Sequence, residues 1–581
     1  MFKEAILRYK WYALASVLLT SIVVATTLMQ PSYLQDVLTA VLANDKDEIV
    51  RVGKFLLLIA GIGLLAGLTN TIMAAKISQG VSADIREKTF RKIQSFSYAN
   101  VEEFNAGNLV VRMTNDVNQI QNLVMMLFTI LMRVPLLFVG AFIMAVRTLP
   151  ELWWIIVLMV IIIMGIMAVV MGLMGPRFGK FQSLMDRMNS IAKENLRGIR
   201  VVKSFVQEKN QYAKFKEVSN ELLDLNLFIG YGFSILQPLM MFISYMAIFV
   251  SLYLVSGMLD TNIEAVGGFT SFMSYLMQIM FAIIMTSFMG MQASRAAISI
   301  KRLSEVLDTE PAMTFKDGAK EDLDGRIVFD NVSFTYPHDT EPTLKNISFE
   351  IESGQMVGVV GATGAGKSTL AQLIPRLFDP QEGTVSIGGR DLKDISQETL
   401  RDTVSIVLQK AILFSGTIAD NLRQGAPGAD LERLERAAGI AQAKEFIDRL
   451  DDTYESQVEE RGNNFSGGQK QRMSIARGVI SDPKVLVLDD STSALDAKSE
   501  KLVQEALNHD LKGTTTVIVA QKISSVVKAD KILVLDEGRL IGQGTHAELV
   551  ATNDVYREIY ETQKGKEENL KGPVDLLRWE I

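Results

Sequence analysis

Five long stretches of the chain carry no charge: Trp11 to Gln35, Phe55 to Ala75, Leu152 to Pro176, Leu225 to Leu259 and Ala265 to Ser294. A membrane span needs about 20 mainly apolar residues, so each is long enough to cross as a helix. A sixth stretch, Met125 to Val146, is interrupted by Arg133 but is apolar on either side of it, and it leads through the short Arg147–Glu151 connection into the next span. The pattern therefore predicts six spans, at 11–35, 55–75, 125–146, 152–176, 225–259 and 265–294.

The segments between spans are unequal. Ser78–Gln121 and Arg177–Asp224 mix charge with apolar residues at helical spacing, for example Ile85, Ile93 and Phe96. Structureless loops of this length are uncommon, so these read as helices continuing out of the bilayer. Lys and Arg concentrate there: six in Lys76–Arg112 and ten in Arg177–Lys216, against three in Pro31–Lys54 and none in Asp260–Glu264. Basic connections stay in the cytoplasm, which places both extensions and both termini on that side of the cell membrane. Met1–Lys10 is short, basic and amphipathic and leads into a full-length span with no small-residue cleavage site, so the first span is expected to be retained.

Near residue 301 the character changes. Residues 301–325 are polar and charged and read as a linker. Arg326–Phe334 alternates as a strand does, and Met356–Val360 is a buried-strand run. The expected fold class is thus multidomain: an all-α six-helix transmembrane domain (1–300) with long cytoplasmic helical extensions, followed by an α/β P-loop nucleotide-binding domain (326–563) and a charged tail (564–581).

Composition narrows the chemistry. With no cysteine among 581 residues, a disulfide scaffold, a thiolate nucleophile and an iron–sulfur cluster are excluded. Three histidines (His338, His509, His546) leave little room for a histidine metal site, and a net charge of −7 argues against nucleic acid as a partner.

The first candidate site follows the Met356–Val360 strand. Gly361, Thr363, Gly364, Gly366, Lys367, Ser368 and Thr369 lie in the pattern G-x-x-x-x-G-K-[ST], with a helix expected over Leu370–Leu377. Glycines let backbone N–H groups close around phosphate oxygens, Lys367 adds a point charge, and the Ser368 hydroxyl can ligate Mg²⁺. A second apolar strand, Val485–Leu488, ends in Asp489 and Asp490. A carboxylate at the end of a buried strand beside a phosphate loop suits a Mg²⁺-coordinating aspartate, here Asp489. ATP and Mg²⁺ are the ligands this implies.

Phe465-Ser466-Gly467-Gly468-Gln469, just upstream of the aspartate strand, resembles the signature motif of the ATP-binding cassette (ABC) family, which almost no other P-loop ATPase carries. The resemblance extends along the chain. Tyr336 sits where the family stacks adenine, Gln409 at the Q-loop near the metal, and Ser493-Ala494-Leu495-Asp496 at the D-loop. Glu103, Phe104, Gly107, Arg112 and Asp116, then Glu194, Gly198, Val202 and Phe205, resemble the extensions of six-span ABC exporters, whose short coupling helices dock on the nucleotide domains. By this resemblance Ser466, Gly467, Gly468, Gln469 and Asp496 belong to the nucleotide machinery, and Ser368, Gln409 and Asp489 surround the metal.

Two positions depart from the family. Where its general base is glutamate this chain has Asp490, whose carboxylate is drawn back by about 1.5 Å; a misplacement of about 1 Å can cost on the order of 100-fold in rate. Where the family has a switch histidine this chain has Gln521, which can donate a hydrogen bond but carries neither proton nor charge. ABC cassettes pair head to tail, each ATP lying between one subunit's Walker motifs and the other's signature. An intact signature beside a weakened base reads as one half of a heterodimer, resembling the bacterial multidrug exporters with one degenerate site. A homodimer in which Asp490 suffices is the alternative.

The expected cargo is less sharply defined. The last two spans hold many methionines (Met240, Met241, Met246, Met273, Met277, Met280) and no charge, which suits varied hydrophobic compounds, although helix packing and lipid contact explain any single methionine equally. Arg133 is either a functional charge or one snorkelling to the headgroups. The expectation is ATP-driven export of hydrophobic or amphipathic compounds. Lipid or peptide export, or an ATP-gated channel, are the alternatives.

Overall fold

The computed structural model describes residues 7–257, 264–337 and 339–570. The start of the basic N-terminal segment, most of the Asp260–Glu264 connection, His338 and the Gly572–Trp579 end of the tail lie outside these. The chain divides into two compact units, residues 1–94 with 107–309 and residues 95–106 with 310–581.

Among the described residues, the first unit is built on six helices long and apolar enough to cross a membrane. They are α1 (Lys10–Leu42), α2 (Lys46–Gln94), α3 (Ala106–Thr148), α4 (Trp153–Arg197), α5 (Glu208–Ser256) and α6 (Glu264–Asp308). Both long connections are helical, as the spacing predicts: α2 and α3, and then α4 and α5, run on well past the apolar windows. The short helix Ile199–Ser204 joins the second pair. Leu57, Leu64, Leu65 and Val169 are exposed, as a face turned toward lipid requires.

Backbone groups within a bilayer must be satisfied by the protein. Two π-helical turns, Arg112–Asp116 and Leu127–Leu131, interrupt α3. In the second, the Phe128 carbonyl accepts from Asn70 Nδ2 at 3.2 Å, and Asn70 Oδ1 in turn accepts from the Ser16 hydroxyl, so one polar knot ties α1, α2 and α3. Around Pro31, α6 supplies the donors: Ser271 Oγ to the Pro31 carbonyl at 2.6 Å and Tyr275 Oη to the Leu28 carbonyl at 2.8 Å. Near the first π turn, buried Arg112 binds Glu305 Oε2 at 3.1 Å and the Arg302 carbonyl, and buried Asp116 accepts from Ser299 Oγ at 2.7 Å.

The stretch expected as linker opens as helix, because α6 continues to Asp308, and the unit boundary falls between Thr309 and Glu310. Likewise the helix Asp554–Leu570 runs through residue 564, where the charged tail was expected to begin.

The second unit holds two main sheets. One has the order β2 (Leu344–Ile351), β1 (Ile327–Phe334), β4 (Glu382–Ile387), β5 (Arg390–Asp391) and is antiparallel. The other runs β12 (Arg539–Gly544), β11 (Lys531–Asp536), β3 (Met356–Gly361), β10 (Thr515–Val519), β9 (Val485–Asp489), β6 (Val404–Val407). Its four inner pairings from β11 to β6 are parallel, and only the edge strand β12 is antiparallel. A two-stranded ribbon joins β7 (Gly416–Thr417) and β8 (Gln457–Val458). Strands β9 and β10 are buried throughout, which matches the apolar runs Val485–Leu488 and Val517–Val519 within them. With β3, β10 and β9 adjacent, the loops after them converge at the carboxyl ends of the strands, where α/β sheets bind ligands.

Candidate nucleotide site

The phosphate loop leaves β3 at Gly361 and enters α7 (Lys367–Leu373). Gly364 and Gly366 have φ of +87° and +94°, left-handed values that a side chain would strain, and a Cβ at Gly366 would stand 2.7 Å from Leu344 Cδ2. Thr363 is exposed on the loop, and Thr369 is buried at the base of the helix. The helix ends earlier than the expected Leu377, because Arg376 turns the chain at φ +55° and is held there by Asp379 at 2.8 Å.

Lys367 Nζ donates to the carbonyls of Gly361 at 2.9 Å and Ala362 at 2.8 Å. Burial lowers its pKa from the usual lysine value, an effect that Asp490 and Asp489 oppose. Ser368 Oγ donates to Asp489 Oδ1 at 2.9 Å. Asp489 ends β9 and is buried; burial pushes its pKa up while the Ser368 hydrogen bond pulls it down. A hydroxyl and a carboxylate side by side are hard oxygen donors, a set that fits Mg²⁺, and the glycine loop with Lys367 fits the phosphates of ATP.

Asp490 lies next to this pair with φ +46°. Its N–H donates to the Val519 carbonyl at 3.0 Å, and its own carbonyl accepts from Ser493 Oγ at 2.9 Å, so the unusual backbone is pinned on both sides. Its Oδ2 accepts from Gln409 Nε2 at 3.0 Å and from Gln521 Nε2 at 2.8 Å. An ionised carboxylate only accepts, so both glutamines present their amide nitrogens. Two donors on one oxygen engage both of its lone pairs. The structure thus brings the Q-loop residue onto the carboxylate rather than onto Ser368 or Asp489.

Tyr336, just after β1, is held by Thr369 Oγ1 at 3.1 Å and Gln372 Oε1 at 3.4 Å, and burial raises its pKa. The signature residues form a separate structure. Ser466 caps α8 (Gly467–Val479): its Oγ accepts from the Gln469 N–H at 3.3 Å, and its own N–H donates to Gln469 Oε1 at 2.8 Å. Ser466 and Gly467 are exposed. A Cβ at Gly468 would lie 3.2 Å from the Ala494 carbonyl. Asp496 caps α9 (Ala497–Asp510) through the Ser499 N–H at 2.9 Å, a bond that holds its carboxyl below the usual range.

Some contributors have no signal in the sequence pattern. Gln471 ties the signature helix to the D-loop by accepting from the Ala494 N–H at 2.9 Å, and Gln372 and Phe378 pack at Tyr336. Of the histidines in the described residues, His509 meets Asp510 and His546 meets Tyr556, both apart from the Asp490 cluster.

Residues 13–283 match the family model described as ABC transporter transmembrane region, and residues 344–493 match the one described as ABC transporter. The chain is 35% identical to the uncharacterized ABC transporter ATP-binding protein YfiB of Bacillus subtilis over 94% of its own length and 95% of that protein's. It is 32% identical to the ATP-dependent lipid A-core flippase of Pseudomonas putida, covering 89% of this chain and 86% of the flippase. A bacterial Atm1-family ABC exporter with ATP bound has a similar structure, with a TM-score of 0.78 and 25% identity over 95% of this chain and 98% of that one.

Proposed function

Because the chain belongs to the ABC transporter family, we propose that it is one half of a heterodimeric exporter, binding ATP at its own weak site and completing a strong site on its partner. Its architecture is that of an ABC exporter, with an ATPase coupled to transport in a multi-pass membrane protein. The observation that carries the reading is the doubly bonded Asp490 Oδ2. A general base must reach its water with a free lone pair in hydrogen-bond range. Asp490 is short by one methylene, and one of its oxygens is engaged by two amides.

In this reading Tyr336, Gly361, Thr363, Gly364, Gly366, Lys367, Thr369, Ser368 and Asp489 hold Mg²⁺-ATP with the partner's signature, and Gln409, Asp490 and Gln521 line it without supplying an efficient base. The metal, when bound, neutralises phosphate charge. Ser466, Gly467, Gly468 and Gln469, at the start of α8 with Ser466 and Gly467 exposed, stabilise the phosphates on the partner's Walker motifs. ATP at both sites closes the cassettes, and the closed state favours outward access of the spans; hydrolysis at the partner's site resets the pair. The basic extensions support a cytoplasmic position for both termini. The methionine-rich, uncharged last spans favour hydrophobic or amphipathic cargo. A lipid cargo is the second reading, favoured by the likeness to lipid A-core flippases.

The test uses the co-purified pair. Asp490→Ala is expected to leave most ATPase activity intact, and removal of the partner's matching base to abolish it. Equal losses would contradict the asymmetry.

A further inference from the structure

The short helix Tyr98–Phe104, at the tip of the first extension, belongs to the same compact unit as the cassette. Buried Asn100 anchors it: Nδ2 donates to the Glu310 carbonyl at 3.3 Å, and Oδ1 accepts from the Ala312 N–H at 2.8 Å. Ala99 packs on the core that contains Phe378. The Tyr98 ring then stands perpendicular to Phe378, at 86° with centroids 5.4 Å apart.

Phe378 is 3% exposed and has a second perpendicular partner, Tyr336, at 5.4 Å and 88°. Phe334 meets Tyr336 at 4.9 Å and 85°. Two perpendicular rings fix the plane of Tyr336, while Thr369 and Gln372 tether its hydroxyl to α7. The ring that would stack on adenine is therefore located by few groups, and one of them, Phe378, is shared with the helix of the extension. Perpendicular aromatic pairs are favourable beyond simple burial.

We propose that Tyr98 is a positioning residue for nucleotide binding: through Phe378 it fixes the Tyr336 ring, so that affinity for the adenine base depends on how the helix Tyr98–Phe104 is seated. The inference rests on the reading of Tyr336 as the adenine platform. By linkage, adenine on Tyr336 favours the seated helix by the same factor. The base would thus be sensed at the extension by a route separate from the phosphates, which meet Lys367 and Ser368.

The test is photolabelling of this chain by azido-ATP in the co-purified pair, with ATP and inorganic tripolyphosphate as competing protectants. Tyr98→Ala is expected to weaken protection by ATP about three- to tenfold, the scale of one aromatic pair, and to leave protection by tripolyphosphate unchanged. Tyr98→Phe, which keeps the ring, should match the unaltered protein. An unchanged ratio of ATP to tripolyphosphate protection in Tyr98→Ala overturns the proposal, whether neither competitor moves or both weaken together as in general misfolding. Tyr336→Ala separates the two readings. If it lowers the ratio and Tyr98→Ala does not, only the role of Tyr98 fails; if it leaves the ratio intact, the adenine platform fails and the proposal with it.

Discussion

Gln521 Nε2 donates to Asp490 Oδ2 at 2.8 Å, joining the last residues of two neighbouring strand–loop junctions in the parallel sheet. The bond links the two departures from the family pattern: the short carboxylate and the amide that replaces an imidazole hold each other. Changing either residue alone leaves the other in its compensating position. Asp490→Glu with Gln521→His together should therefore raise ATP hydrolysis at this site by on the order of 100-fold, and each single change by much less. Single-turnover ATPase in a pair whose other site is inactivated checks this; a gain from Asp490→Glu alone equal to that of the double change would refute the coupling.

The signature should act on the other site. A Cβ at Gly468 meets the Ala494 carbonyl at 3.2 Å, so Gly468→Asp must displace the D-loop and fill the exposed face of α8. Steady-state ATPase of the pair is expected to fall at least about 100-fold, as when a transition-state donor is lost. ATP retention on this chain's own Walker motifs should survive.

Burial raises the pKa of Asp489, and the Ser368 hydroxyl only partly offsets it. The sign follows directly. The carboxyl takes up a proton at a higher pH than a free aspartate does, so metal-supported ATP affinity should decline on acidification sooner than ordinary carboxylates would allow. Because the ionised form is penalised in the folded state, its contribution to stability is unfavourable at neutral pH and is relieved as pH falls. Asp489→Asn should accordingly melt higher at neutral pH while binding Mg²⁺-ATP more weakly, with the acid dependence removed. Thermal shift and nucleotide titration across pH 4–8 (roughly the carboxylate-to-neutral range) test both halves.

Arg112 is a stability residue. Its side chain is 9% exposed, whereas its partner Glu305 is 47% exposed. Arg112→Leu removes the bonds to the Arg302 carbonyl and to Glu305 and should cost about 1–3 kcal/mol, while Glu305→Gln should cost under about 1 kcal/mol because the lost pair is half solvated. Thermal unfolding of the two variants in detergent compares them.

Much of this was readable in the residues themselves. The six spans are continuous apolar runs, and their helices could be drawn from length alone; even the two extensions followed from apolar spacing such as Ile85 and Ile93. The phosphate loop was equally plain, since its glycines serve backbone angles that only glycine adopts easily. What escaped was set by tertiary contact. The meeting of Gln409 and Gln521 on one oxygen of Asp490 brings together residues separated by 81 and 31 positions, and no local pattern encodes it. Tyr98 and Phe378 read as ordinary apolar positions until the helix is seated. Residues 301–308 read as linker by composition yet continue α6, because a helix leaving a bilayer keeps its hydrogen bonds while its composition turns polar.

The central claim is that this chain's own Walker site binds ATP but hydrolyses it poorly. The most direct measurement is the ATPase rate of the chain purified without a partner, together with its rate as Asp490→Ala. The account predicts a very low rate that Asp490→Ala leaves unchanged, with ATP still bound. Brisk turnover by a self-paired form, abolished by Asp490→Ala, would contradict it.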